Sequence, residues 1–154
     1  MLTVTSWTSL VLLTVAVSQP LFYWLALGRA TARLSASAYV ELRQQINAAI
    51  ATRFTRLYIA SLLSLLALLA SAIVASAWFV AAGAAVASAA LVADVVLAAK
   101  LNVPINARMD TWSVAAVPPD WQIHRDAWQR ALNLRRVVLL TGFVALTLAL
   151  LVRP

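Results

Sequence analysis

A chain of 154 residues that is 64% apolar and only 11% charged cannot hide its hydrophobic surface in a soluble core, where the usual balance is about half and a quarter, so it reads as an integral membrane protein with room for one bundle. The absence of cysteine excludes disulfides, thiolate metal sites, iron–sulfur clusters and cysteine nucleophiles, and one histidine with one glutamate cannot supply the ligands of a carboxylate di-iron bundle. The net charge of +7 flanks hydrophobic spans, where membrane orientation and anionic headgroups account for it and nucleic acid is not required.

Met1 to Trp7 carry no charge and a long apolar stretch follows, whereas a secretory signal begins with a basic segment before a short apolar core. Residues 6–28 are therefore read as a retained first span. Ser18, Gln19 and Pro20 sit near its middle, and the proline, which removes a backbone donor and crowds the preceding turn, predicts a kink. Charge arrives at Arg29 and Arg33, opening a polar stretch over 29–56 that also holds Arg43, Arg53 and Arg56. Within it Tyr39, Leu42, Ile46, Ile50 and Phe54 recur at helical spacing, with Glu41, Arg43, Gln44, Gln45 and Asn47 on other faces. This amphipathic helix either lies at the interface or extends the second span inward.

Residues 57–103 are almost continuously apolar and too long for one crossing, so a hairpin must divide a span over 57–76 from one over 78–101. The best place is Ser76 to Gly83, with Trp78 and Phe79 in the outer headgroup belt. Gly83, Ala87, Ala90, Asp94 and Ala98 fall within about 40° of one helical face, a small-residue stripe that permits close helix contact. A second polar stretch, 102–136, carries Arg108, Arg125, Arg130, Arg135 and Arg136, with Lys100 at its border. The last span, 137–152, is short by itself and continues a helix that begins after Pro118 and Pro119 with Asp120 as N-cap. The expected fold is an all-α, multi-pass four-helix bundle with helical extensions on one side. Every basic residue except Arg153 falls on that side, which places it in the cytoplasm and both termini outside an inner membrane.

Asp94 is the only ionisable residue well inside a span, so it must be paired, protonated or turned to a cavity. Counting back from the cytoplasmic ends nominates Gln19 and Tyr23 as its partners, and the carboxylate reads equally as a base or as an interhelical hydrogen bond. The second constellation is Asn102-Val103-Pro104-Ile105-Asn106, then Trp112, Trp121, Arg125, Trp128, Asn133, Arg135 and Arg136. Its asparagines can satisfy the carbonyls that Pro104 frees and its tryptophans can form an interface belt, or the set can line an amphipathic pocket for an aromatic, oxygen-rich molecule. His124 is the one side chain whose ordinary pKa lies near neutrality, either a candidate base or a polar interface residue.

The run Leu101-Asn102-Val103-Pro104-Ile105-Asn106, with the downstream Trp112, Asp120-Trp121, Arg125, Trp128 and Asn133-Leu134-Arg135-Arg136, resembles the anthrone-oxygenase-like family of small four-span membrane proteins. The similarity is specific over about 102–136, and elsewhere only the lengths and order of the spans match. It implies a membrane bundle and cofactor-independent oxidation of a lipophilic aromatic molecule. An electron-rich enolate can pass an electron to O₂ unaided, so such a site needs a base, donors to the enolate oxygen and a dry slot. Asp94 or His124 is the candidate base, Asn102, Asn106 and Arg125 the candidate donors, and the tryptophans the slot. The expected function is thus a membrane oxygenase or oxidoreductase acting on an anthrone- or quinol-like molecule without cofactor. The alternative is a non-catalytic membrane protein that binds a lipid or quinone or supports a larger complex. The expected partners are a lipophilic small molecule and the bilayer, with no nucleic acid; a homo-oligomer is left open.

Overall fold

The computed structural model describes residues 1–152, the side chain of Ala51 excepted, so Arg153, the one basic residue assigned to the opposite side, lies outside the described residues. The chain forms four long rods. Helix α1 (Leu2–Phe22) runs on through a π-helical turn, Tyr23–Leu27, and a last turn, Gly28–Thr31. Helix α2 (Ala36–Val74) is continuous, α3 (Trp78–Leu97) continues through a π-helical turn, Ala98–Asn102, and the segment Val103–Asp110, and α4 spans Trp121–Leu151. Each rod contains a stretch long and apolar enough to cross a membrane, and together they form a four-span membrane helix bundle. Each packs on its chain neighbours and α4 closes on α1.

Leu13 and Val17 of α1, Leu65, Leu68 and Ala72 of α2, Val80, Ala84, Ala87 and Leu91 of α3, and Leu139 and Leu146 of α4 share one buried cluster. Leu2, Ala77 and Leu150 pack on it as well, so both described ends and the α2–α3 turn share the apolar end of the bundle. The opposite, polar end has its own clusters, Tyr23 with Trp128 and Leu132, and Tyr39 with Val40 and Met109.

The α2–α3 turn is tighter than Ser76 to Gly83: helix resumes at Trp78, and Gly83 is an interior helical residue. Ser76 takes a positive φ of 54°, its N–H bonding Ile73 O at 3.0 Å and that of Ala77 bonding Ala72 O at 2.8 Å, the helix-closing pattern that usually employs glycine. Trp78 and Phe79 stand exposed beside it.

Residues 36–54 extend the second span inward; they do not form a separate interfacial helix, and the Ser35 hydroxyl caps this end by accepting from the Ala38 N–H at 3.3 Å. The buried positions there are Tyr39, Val40 and Arg43, whereas Leu42, Ile46, Ile50 and Phe54 are only half-buried. The apolar periodicity thus marks a surface turned partly to a cleft. Asp120 stands at the α4 N-cap position but makes no capping bond; its carboxylate lies 3.4 Å from His124 Nε2 instead.

The small-residue stripe of α3 faces α4, not α1. A Cβ on Gly83 would collide with Ala149 Cβ, and one on Gly142 would come within 2.7 Å of Ala90 Cβ and 3.2 Å of Ala87 Cα. Neither neighbour can swing aside, because each is backbone or the first side-chain carbon. Gly83→Ala and Gly142→Ala should therefore each destabilise the bundle by about 1–3 kcal/mol through overpacking. Exposed Ala82→Gly, on the same helix, would cost only about 1 kcal/mol of helix propensity. Unfolding in mixed micelles checks this; a stability gain in either alanine variant would show that the rods separate freely.

Candidate functional site

Asp94 is fully buried, at 0% exposure, and both of its oxygens are engaged. Arg135 grips it with a fork, Nε donating to Oδ1 at 2.8 Å and Nη2 to Oδ2 at 3.0 Å, while the Tyr58 hydroxyl donates to Oδ2 at 2.7 Å. The partners named from depth counting, Gln19 and Tyr23, are thus replaced by Arg135 of α4 and Tyr58 of α2. The cause lies in α4, which starts at Trp121 and holds Arg135 inside the span rather than at its mouth.

Asn102 carries the network onward. It accepts from Arg135 Nη1 at 3.2 Å and donates to the Trp128 carbonyl at 3.1 Å. In a regular α-helix the path from Asp94 to Asn102 would turn the side chain about 80° away from the aspartate face. The wider π turn over Ala98–Asn102 absorbs most of that rotation and keeps both residues on α4. Pro104 follows at once, and its missing N–H could not have served the Lys100 carbonyl in a regular helix.

A second network lies nearer the polar end. Arg43, 4% exposed, donates from Nη2 to Asn106 Oδ1 at 2.9 Å and to Asn47 Oδ1 at 3.2 Å, and its guanidinium lies 4.0 Å from the centre of the Trp128 ring. Burial pushes this arginine's pKa down, countered by Tyr39, Tyr23 and Asp110. Burial likewise pushes the Tyr39 phenol up, and its hydroxyl has no partner among the described residues. Asn47 donates to Asp110 Oδ1 at 3.0 Å, and Gln44 holds the start of the 111–120 loop by donating to the Met109 and Trp112 carbonyls at 3.0 and 2.9 Å.

Between residues 46–62 of α2 and 91–107 of α3 lies a cleft of about 1150 Å³, large enough for a drug-sized or lipid-like molecule. Ile50, Phe54, Ile59, Val92, Val96 and Val103 form its walls, and Gln19, Arg43, Asn102, Asn106, Trp128 and Arg135 give it polar ground. Ile59, Val92 and Val96 of its walls stay largely exposed, so the cleft is open along the apolar spans. Gln19, which lines it, has no hydrogen-bond partner among the described residues, and Trp128 Nε1 and Arg43 Nε are buried without one.

The residues singled out from the sequence divide accordingly. Asp94, Gln19, Asn102, Asn106, Trp128 and Arg135 belong to the cleft and the network behind it, with Tyr23 stacked on Trp128 at 5.1 Å. The others lie elsewhere. His124 is edge-on to Trp112 at 5.4 Å, Trp121 packs on Tyr39 at 5.3 Å with Arg125 5.1 Å from its ring centre, and Arg125 pairs with Asp126 at 2.9 Å. Arg136 stands 4.7 Å from the Trp24 ring centre, and Asn133 borders a smaller groove of about 420 Å³ between the end of α1 and α4. His124 and Arg125 therefore do not share a site with Asp94. Among the described residues no three His, Cys, Asp or Glu side chains converge as metal ligands.

Tyr58, Arg43 and Asn47 were not singled out from the sequence. A tyrosine within the second span and an arginine between apolar helical positions were the available signals, and neither pointed to a partner across the bundle. No family model matches the chain, and no curated protein or solved structure does either.

Proposed function

We propose that this protein binds a lipophilic, oxygen-bearing small molecule that enters the α2–α3 cleft from the bilayer and sets its polar group against the cleft floor. The observation that carries the reading is Gln19, an amide at membrane depth that faces the cleft without a partner among the described residues. An amide left unpaired in hydrocarbon costs several kcal/mol, and a ligand oxygen or hydroxyl would remove that cost. Gln19→Leu should reduce retention of co-purified lipophilic molecules about tenfold, while Ser18→Leu, on the exposed face, should leave it unchanged. Mass spectrometry of extracts from equal amounts of folded protein decides this, and equal retention in the two variants would remove the cleft as the binding site.

Oxidation of an anthrone- or quinol-like molecule is the second reading, favoured by the concentration of donors at one end of an apolar slot. Its base cannot be a free Asp94, whose oxygens are both occupied, and His124 is remote from the cleft. Oxygen uptake with anthrone and no added cofactor tests it, and binding without uptake would leave the protein a binder.

The polar end is assigned to the cytoplasm of an inner membrane, supported by the basic residues gathered there. Because the chain lacks cysteine, single-cysteine variants report cleanly. A membrane-impermeant maleimide applied from outside should label Thr3→Cys and spare Gln45→Cys and Ala115→Cys, all at exposed positions. The reverse pattern would invert the orientation.

A further inference from the structure

Two arginines face the cleft, and their electrostatic situations differ. Arg135 is neutralised by Asp94 through two direct hydrogen bonds. Arg43 is as deeply buried, yet among the described residues the ion pairs are His124–Asp120, Arg125–Asp126 and Arg135–Asp94, and none includes it. Its bonded acceptors are the neutral amides of Asn47 and Asn106, both taken by Nη2, and Nε has no acceptor. Asp110 is reached only through the Asn47 amide and is itself exposed. A cation so withdrawn from water needs a counter-charge, and its contact with the Trp128 ring offsets only part of that need.

The inventory of free groups points the same way. Asn47, Asn102 and Asn106 all spend their side-chain oxygens on arginines, and so does Asp94. Arg43 Nε and Trp128 Nε1 are donors buried without an acceptor among the described residues, and Asn106, Gln19, Gln44 and Asp110 line the cleft beside them. An arginine and an indole can only donate. A buried cation at the cleft with no direct ion pair among the described residues and Asp110 as its one nearby carboxylate matches an acceptor that carries negative charge.

Building on the binding reading above, we infer that the cleft takes its ligand as an anion, an ionised oxygen acid such as a carboxylate, phenolate or enolate seated against Arg43. Arg43 Nη1 makes no hydrogen bond among the described residues, and charge-assisted bonds in a water-poor cleft are the strong ones. Such a ligand also arrives already deprotonated, so oxidation in this cleft would not need Asp94 or His124 as a base.

Pyrenebutyrate and pyrenebutanol share a ring and chain and differ in the head group, so their binding to the purified full chain in a neutral maltoside micelle reads the head group alone. Wild type should bind the carboxylate at least about tenfold more tightly than the alcohol, the scale expected of a desolvated charged contact. Arg43→Gln should bring the two within about twofold, while Arg43→Lys, which keeps the charge, and Arg29→Gln, outside the cleft, should retain the preference. Thermal unfolding confirms that each variant is folded. Equal binding of both probes to wild type, abolished by Gln19→Leu, would overturn the anion assignment and leave the cleft as a binding site. Undiminished preference in Arg43→Gln would also overturn it. Failure of both probes to saturate would overturn the cleft reading along with it.

Discussion

Asp94→Leu should destabilise the bundle by about 3–5 kcal/mol, and adding Arg135→Leu to the same chain should recover most of that loss. The single substitution removes both acceptors of the Arg135 fork and the acceptor of the Tyr58 hydroxyl, leaving a cation at membrane depth with only the Asn102 oxygen. The double substitution removes the stranded charge and substitutes apolar side chains, and replacing a buried pair in this way is often close to neutral. Asp94→Asn should fall between, because the amide accepts from Arg135 with one oxygen but brings no charge. A double-mutant cycle measured by unfolding in mixed micelles gives the coupling directly. Additive losses from the two leucine substitutions would mean that the ion pair is not what holds α3 to α4 at this depth.

Asn102→Ala should cost about 2–3 kcal/mol, against less than about 1 kcal/mol for Asn106→Ala. Asn102 is buried and bridges the Arg135 Nη1, which has no other acceptor among the described residues, to the Trp128 carbonyl, which also serves the α4 backbone ladder. Its loss strands the Arg135 Nη1 donor. Asn106 is half-buried and shares its arginine with Asn47, so its removal leaves Arg43 one acceptor. The two asparagines of one short motif therefore sit differently: the first bridges α3 and α4, while the second lines the cleft beside Arg43. Equal stability of the two variants, measured by the same unfolding assay, would contradict the bridging role.

The cleft itself was only half legible beforehand. Ile46, Ile50 and Phe54 could be read as one face of a helix, but periodicity says that a face is apolar and not what covers it. Here nothing covers it fully, because α2 and α3 pack near their shared turn and leave room between their polar-end halves. Arg43 was read only as lying off the apolar face, yet it is among the most buried polar residues of that end, against a tryptophan from a helix that begins almost eighty residues later.

Composition, span length and the placement of charge were enough to determine a four-span bundle, a hairpin break beginning at Ser76 though not its tightness, the α4 start after Pro119 and the close packing of a small-residue face on α3, because each depends on local pattern and on the cost of polar groups in hydrocarbon. That Asp94 must be paired, protonated or turned to a cavity followed from the same cost. Which residue pairs with it did not, since the answer turns on the depth of α4, on the face that α3 presents to it and on the π turn that returns Asn102 to that face. Such rotations and offsets arise from how four rods pack together, and a difference of one turn, about 5.4 Å, exchanges one partner for another.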